Sequence, residues 1–541
     1  NQVLGLTTVD SEGQSGLESR YEDVLRGTEG SYLRQVDARN RQLDGTEGWY
    51  IPSQQGCGLV LTIDAEIQEM VEKAMRECIE VNQAQSVICL VSDVKTGAIL
   101  AMCMNPCYDP NDPPRNDAET LTELMRLTAI SDVYEPGSTF KILTAASALD
   151  SGVTTPQDSF YCSAKITVDG DTIRCWGRPH GAETMADGLK NSCNPVFVEL
   201  ALRMGTDTFY RYLTAFGLGK KTGIDLPGES PGILITSRNV KRVDLARIGF
   251  GQSVALTPIQ MMMAANSVIN GGKLMKPYIV SEIQTPDGET LEHFHPTVMA
   301  APIRPETSDT MRLLLERVVS EGGGKNAAIA GYRIGGKTGT AQVYKNGRVV
   351  RDTHIGSFYG FAPVNDPQVS ILVIVKEADV PIDYGGTTAA PFARQIMQEM
   401  LPYLGIEPEN DEKDEEIEVP ALKGLTIGDA KRKLSQVGLE SVTDGANTVV
   451  LDQLPPAGAK LVKGGHVMLY TAGSEELTPE ELVCVPDLTG LGDVDCARLV
   501  RQRGLMMSMT GQGLCTEQSP AAGEYVQPGT TIFLLMAGDD E

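Results

Sequence analysis

Residues 331–340 read GYRIGGKTGT, and the fold turns on what that loop holds. From Gly331 to Thr338 it satisfies G-x-x-x-x-G-K-[ST], the pattern of a loop that cradles nucleotide phosphates. Such a loop runs from a buried strand into a helix, because the helix N-terminus supplies much of the anion binding. Here the chain continues as TAQVYKNGRVVRDTHIGSFYGF. This segment consists of two β-prone runs around Asn346-Gly347, a strong hairpin-turn signal. A convincing strand ending in a magnesium-holding Asp is also missing. The loop therefore predicts a strand, with Lys337 and Thr338 directed into a cleft and an anion other than a nucleotide beside the lysine.

A nucleophile would give that lysine a different role. The stretch YEPGSTFKILTAASALD (134–150) supplies Ser138 and Lys141 as S-x-x-K. Pro136 and Gly137 punctuate the start of a helix. Positions i and i+3 share a helix face, which brings the Lys141 amine to the Ser138 hydroxyl. A neutral lysine deprotonates a serine when burial and a second cation lower its pKa, and Lys337 suits as that cation. A serine at a helix start also lets backbone N–H groups face a developing oxyanion.

Alone, the pair reads as a capping serine and a solvated lysine. It is not alone, because Ser192-Cys193-Asn194 forms S-x-N between two helical stretches. The ordered set S-x-x-K, S-D-N, K-T-G marks class A β-lactamases and penicillin-binding proteins, and Cys193 stands where the Asp would be. Two decoys compete. Lys95-Thr96-Gly97 precedes the serine at a hairpin turn, and Ser237-Arg238-Asn239 leaves an extended segment.

Bulk properties narrow the class. The 541 residues suggest three or four domains at roughly 150 residues each. A hydrophobic content of 41% supports a large core. The net charge of −26 argues against nucleic acid and against docking on an anionic membrane surface. No apolar run approaches the roughly 18–20 residues of a membrane span. The chain starts at Asn1 without a Met, as a trimmed or a mature form would, so a missing membrane anchor is no sign of a cytosolic protein.

Acidic stretches at Glu407–Glu418 and Ser474–Glu481 read as linkers. They bracket a repeat: VPALKGLTIGDAKRKLSQVGLE from Val419 and VPDLTGLGDVDCARLVRQRGLM from Val485. Leu422/Leu488, Gly424/Gly490, Asp429/Asp495 and Gly438/Gly504 coincide. Ala430, Leu434 and Val437 fall on one helical face, so each copy predicts a helix followed by strands. Upstream, SVICLVSDVKTGAILAMCM and SFYGFAPVNDPQVSILVIV predict hairpins. Helical blocks such as Pro195–Met204 and Pro258–Val268 separate them. The expected class is α+β with an antiparallel sheet.

With these motifs in place, the chain resembles the class B penicillin-binding proteins, which are peptidoglycan D,D-transpeptidases. Supporting strings are GLESRYEDVLRGTEG, LTIDAEIQ, YEPGSTFK, NSCNPVF, GFGQSVALTPIQMM, GGKTGTAQ and SFYGFAP. The repeats resemble PASTA modules, and the whole looks most like sporulation and PASTA-bearing division transpeptidases of Gram-positive bacteria. The resemblance implies a penicillin-binding/serine β-lactamase-like domain, an antiparallel sheet flanked by helices, with two small α/β PASTA modules. The expected organisation is a partial pedestal, dimerisation-like region at 1–56 and a transpeptidase domain at 57–405. An acidic linker at 406–418, modules at 419–473 and 483–538, and a linker at 474–482 complete it.

The resemblance also implies residue roles. Ser138 attacks the penultimate D-Ala carbonyl of a stem peptide with Lys141 as base, and the N–H groups of Ser138 and Thr340 hold the oxyanion. Ser192 relays a proton to the departing amine, and Asn194 orients Lys141 and the substrate amide. Lys337, Thr338 and Thr340 bind the terminal carboxylate, and Gly339 leaves room for the acyl chain. Penicillins acylate the same serine. Implied partners are stem peptides, β-lactams, a glycosyltransferase, division or sporulation proteins, and a membrane reached through an N-terminal helix. The expected location is extracytoplasmic. Neither a metal nor another cofactor is required, and none of the five histidines is used. The rival readings are a β-lactam sensor, a D,D-carboxypeptidase and a β-lactamase.

Eleven cysteines cannot all pair within one chain. Around Cys193, three readings stay open: independent buried thiols, a redox-sensitive Cys175–Cys193 disulfide, and a zinc site of Cys162, Cys175, His180 and Cys193 whose spacing matches no standard pattern.

Overall fold

The computed structural model describes residues 1–541 apart from 34–37, 39–48, 346–347, 409–415, 444–448, 463, 472–482, 512, 523–524, 527–529 and 538–541. The main sheet has five strands: β1 (Ser86–Asp93), β2 (Ile99–Asn105), β3 (Gly335–Lys345), β4 (Arg348–Ala362) and β5 (Val369–Lys376). Their order is β3-β4-β5-β1-β2, antiparallel throughout. Both expected hairpins are present, and Gly97 turns the first at φ +80°. The segment after Gly-Lys-Thr is strand, as expected; its Asn346-Gly347 turn lies outside the described residues.

Six helices complete the domain's frame: α1 (Ala65–Asn82), α2 (Lys141–Asp150), α3 (Asn194–Ala215), α4 (Pro258–Ile269), α5 (Pro305–Ser320) and α6 (Ala390–Tyr403). Strands β1 and β5 are buried on both faces, so they read as continuous apolar runs. Their alternate side chains nevertheless separate cleanly. Val87, Cys89, Val91, Ile371, Val373 and Val375 join one core with Ile67, Val71 and Met75 of α1 and Ile396 and Met397 of α6. Ile88, Leu90, Leu372 and Ile374 join the other with Ile142, Phe197, Met262 and Leu315 of α2 to α5. A period of two therefore places one helical layer on each face. Each fully buried large apolar side chain contributes about 1.5–3 kcal/mol against chain entropy.

Local signals set the helix starts. Asp64 accepts from the N–H groups of Glu66 and Ile67 at 3.0 and 3.1 Å and caps α1. Thr257 and Gln260 cap α4 reciprocally ahead of Pro258. Helix α4 is buried all round, Met261 to Met263 included, because it passes through the core.

Residues 1–61 contain two short helices, Gly16–Arg20 and Glu22–Leu25, and a ribbon of Ser31–Leu33 against Trp49–Ile51. Strand Gly58–Leu61 pairs with Val280–Gln284. In the first repeat Ala430 and Leu434 are buried, but Val437 is 37% exposed. The helix Ile427–Gln436 stops one residue earlier and Gly438 turns at φ +79°, so Val437 leaves the expected face. Glu416–Glu418, the end of the acidic stretch, is a strand paired with Lys460–Val462. The second repeat packs Cys496 and Val500 of its helix Asp493–Gln502 onto Ile532, Leu534 and Met536. Its strand Thr531–Ala537 lies between a parallel and an antiparallel neighbour. No helix among the described residues is long and apolar enough to cross a membrane.

One close approach links the frame to the site. Gly251 has φ +84°, and a Cβ there would stand 2.1 Å from the Gly137 carbonyl oxygen. Gly251→Ala is expected to cost roughly 2–4 kcal/mol through backbone strain and overlap. A clearly lowered Tm by differential scanning calorimetry checks this.

Candidate active site

Ser138 does not sit on an α-helix. It lies in a 3-10 turn, Gly137–Phe140, that runs directly into α2 at Lys141. In a 3-10 turn positions i and i+3 eclipse, but the Lys141 amine hydrogen-bonds to Ser192 and Asn194 and not to Ser138. Gly137 adopts φ +54°, and a Cβ on it would lie 2.6 Å from the Thr340 carbonyl oxygen. Its N–H donates to the Gly251 carbonyl at 3.1 Å. The serine turn is thus wedged between the Gly251 loop and edge strand β3.

Lys141 is fully buried. Its ammonium donates to the Ser192 carbonyl at 2.6 Å, the Ser192 hydroxyl at 3.2 Å and Asn194 Oδ1 at 2.7 Å. It also lies 5.3 Å from the centre of the Phe197 ring. Ser192 holds φ +56°, uncommon for a residue with a Cβ. The turn between helix Met185–Lys190 and α3 imposes it, and it delivers both the hydroxyl and the carbonyl of Ser192 to Lys141.

Lys337 approaches from β3 and is also fully buried. Its Nζ donates to Ser192 Oγ at 3.0 Å and to the Thr338 carbonyl at 3.1 Å. The Ser192 hydroxyl therefore stands between two lysines. Burial holds Lys141 down at about 7, while the nearby thiols of Cys175 and Cys193 pull it back up. Burial, then the charge of Lys141, pushes Lys337 well below its ordinary value. Lys141 has three acceptors to stabilise a charge and Lys337 has two, so the unliganded site disfavours charge on Lys337 more strongly.

Ser138, Ser192, Asn194, Thr338 and Thr340 line one open cleft. Lys337, expected to point into it, is fully buried beside it and donates to Ser192, one of the residues that line it. Gly339 is tightly packed. A Cβ there would meet Ser357 Oγ at 2.4 Å, Thr139 Cγ2 at 2.9 Å and the Pro136 carbonyl at 3.0 Å. Its lack of a side chain lets β3 close against β4 and the serine turn.

The decoys fall elsewhere. Lys95 pairs with Asp366 at 2.6 Å in an exposed turn, and Ser237–Asn239 form an exposed turn. Ser92 to Lys95 is a second S-x-x-K, but Ser92 Oγ donates to the Asp93 carbonyl and Lys95 points to Asp366. Sequence reasoning assigned no role to Trp176 and Gln252, which also line the cleft. Trp176 Nε1 donates to the Asn191 carbonyl at 2.9 Å beside the S-x-N turn. The string GFGQS carried a signal for Gln252, two glycines around a close approach. His354, given no part, faces the cleft too and pairs with Asp383 at 2.8 Å.

Cys162, Cys175, His180 and Cys193 place their ligand atoms within 4.8 Å of one another. Cys175 and Cys193 are free thiols. A hydrogen bond from Cys193 is the main influence lowering Cys175, to about 5, and the same bond raises Cys193.

An antiparallel sheet between two helical layers, with a serine turn, two buried lysines and an S-x-N loop at its edge, defines an acyl-transfer site of the penicillin-binding/serine β-lactamase class. The chain belongs to the penicillin-binding protein transpeptidase family. The family profile "Penicillin binding protein transpeptidase domain" matches residues 87–398. "Penicillin-binding Protein dimerisation domain" matches 2–61, and "PASTA domain" matches 417–473 and 483–538.

Stage V sporulation protein D of Bacillus subtilis is 37% identical over 487 residues, covering 88% of this chain and 75% of that protein. Peptidoglycan D,D-transpeptidase FtsI of Escherichia coli is 30% identical over 410 residues, 75% of this chain and 66% of that one. Penicillin binding protein 3 of Mycobacterium tuberculosis, solved with aztreonam, superposes with TM-score 0.67 at 28% identity, covering 75% of this chain and 89% of that chain. Penicillin Binding Protein 2X of Streptococcus thermophilus shares the fold over 99% of this chain and 81% of its own, with TM-score 0.66 at 21% identity.

Proposed function

We propose that this protein is a peptidoglycan D,D-transpeptidase acting through an acyl-enzyme on Ser138. The observation that carries the reading is the Ser192 hydroxyl held between buried Lys141 and Lys337, in a cleft shared with Ser138. The names borne by the relatives support it.

A stem peptide ending in D-Ala-D-Ala lays its terminal carboxylate against the Thr338 and Thr340 hydroxyls. An anion there favours the charged form of the neighbouring Lys337. That charge in turn pushes Lys141 further toward its neutral form, so substrate binding prepares the base. Neutral Lys141 takes the Ser138 proton, and Oγ attacks the penultimate D-Ala carbonyl. The N–H groups of Ser138 and Thr340 hold the oxyanion. When the tetrahedral centre collapses, the amide C–N bond breaks and the departing D-Ala amine takes a proton relayed through Ser192. The amine of a second stem peptide then attacks the ester carbonyl, forming the crosslink and returning the proton to Ser138. Asn194 keeps Lys141 and the substrate amide aligned. A β-lactam undergoes the same first half, its ring amide opening onto Ser138.

In this reading residues 1–56 are part of a pedestal, 57–405 the catalytic domain, and 419–473 and 483–538 accessory modules. The protein works outside the cytoplasm, anchored by a helix N-terminal to this chain. It is paired with a glycosyltransferase in the division or sporulation machinery of a Gram-positive cell.

The test offers a pentapeptide donor with and without an acceptor amine. Transpeptidation releases one D-Ala per amide crosslink formed. D-Ala release without crosslinks indicates a carboxypeptidase, and acylation by penicillin without peptide turnover indicates a sensor.

Because Lys141 acts neutral and is held at about 7, acylation by penicillin is expected to slow as pH falls through that value. The limiting slope is about tenfold per pH unit. Second-order rate constants across the acid and neutral range check this, and a flat profile contradicts it.

A further inference from the structure

The transpeptidase scheme leaves three buried thiols and a histidine beside the S-x-N loop without a role. Strand Ser159–Cys162 pairs with Gly181–Thr184, Cys162 opposite Gly181, which sets His180 next to Cys162. The hairpin Lys165–Val168 and Asp171–Arg174 leads back to the same place, and the Cys175 N–H donates to the Ala164 carbonyl at 2.8 Å. Cys193 arrives separately, as the residue preceding α3. Four segments thus aim one ligand atom each at a common point, all within 4.8 Å of one another. A tetrahedral zinc ion with Zn–S bonds of about 2.3 Å sets its sulfurs roughly 3.8 Å apart, so closure needs a contraction of no more than about 1 Å.

A neighbouring group supports a cation. Glu183 is buried and its Oε1 has no hydrogen bond, yet it lies 3.7 Å from His180 Nδ1. Asn191 Nδ2 holds its other oxygen at 3.1 Å. Cys175 Sγ lies 3.9 Å from the same ring nitrogen, so the buried carboxylate stands at the edge of the cluster, where it favours a cation. A Cys175–Cys193 disulfide would leave Cys162 and His180 unexplained.

We propose that Cys162, Cys175, His180 and Cys193 bind one zinc ion, which fixes the Ser192-Cys193-Asn194 loop. Four protein ligands leave no open position, so the ion is structural. Three thiols release their protons on binding, leaving a site of net charge −1. The ion anchors Cys193 between the two residues that hold Lys141. Asn194 Nδ2 also donates to the Arg174 carbonyl at 3.0 Å, the residue before Cys175, so both sides of the loop are tied to ligand-bearing segments.

The test is metal analysis of the full chain, purified with reductant, exposed to zinc and desalted; its readout is independent of the transpeptidase reading. About one zinc per chain is expected, falling below about a tenth in Cys162→Ser and Cys175→Ser. Should these variants not fold, cobalt replaces zinc in the unsubstituted chain. Thiolate-to-cobalt charge transfer and intense visible bands of a tetrahedral ion are then expected. Chelation is expected to lower Tm and slow penicillin acylation, and zinc but not magnesium restores both. Less than about a tenth of a zinc per chain together with no cobalt bands overturns the proposal. So does peptide mapping that finds Cys175 joined to Cys193 in the zinc-exposed protein.

Discussion

Ser138→Ala is expected to abolish D-Ala release from a pentapeptide donor while leaving the fold intact. Removing a serine nucleophile from an acyl-transfer site costs on the order of 10⁴–10⁶ in rate, because the remaining groups have nothing to activate. The structural cost is small. Ser138 is half-buried and starts no helix through its side chain, so the change falls within about 0.5 kcal/mol. Rate and Tm measured on one preparation separate a lost nucleophile from a lost fold. Turnover within about tenfold of the unsubstituted chain would assign the chemistry to another residue.

Lys141→Met is expected to slow penicillin acylation by about 10³–10⁴ through loss of the general base. Methionine matches the lysine stem in shape, so the core around Phe197 stays filled. Two stability contributions oppose each other. Removing a buried amine relieves its desolvation cost, whereas the Ser192 carbonyl and Asn194 Oδ1 lose a donor, at about 1–3 kcal/mol for each group left unsatisfied. Activity is therefore expected to fall far more than Tm. Acylation kinetics by stopped-flow and a thermal melt check both. An equal loss in Lys141→Met and Lys141→Arg would show that the neutral amine matters, since arginine keeps charge and donors without acting as a base.

Much of this site was legible because its signals are local. The hairpin β1–β2 comes from two β-rich runs around Lys95–Gly97, and the strand character of Lys337–Thr340 from the β-prone runs after it. The order of S-x-x-K, S-x-N and K-T-G pointed to the serine and Lys141, but Lys221-Thr222-Gly223 fits the same order, and only the β-prone context of GGKTGTAQ singles out Lys337. Features set by contacts between distant segments were hidden. The 3-10 turn at Ser138 is shaped by Gly251 and Thr340, each far away in sequence. The burial of Lys337 runs against the usual exposure of lysine, and one of its acceptors, Ser192 Oγ, comes from far away in sequence. The four metal-type ligands defeated pattern matching because two hairpins and a helix start deliver them. Val437 was misplaced because helical spacing does not show where a helix ends.

Every step of the mechanism depends on Ser138 as the acylated residue, and intact-mass analysis after incubation with benzylpenicillin tests this most directly. The expected result is one long-lived adduct equal to the mass of the drug, mapped to the peptide carrying Ser138 and absent from Ser138→Ala. A folded chain that takes no adduct, or carries it on another residue, would contradict the assignment.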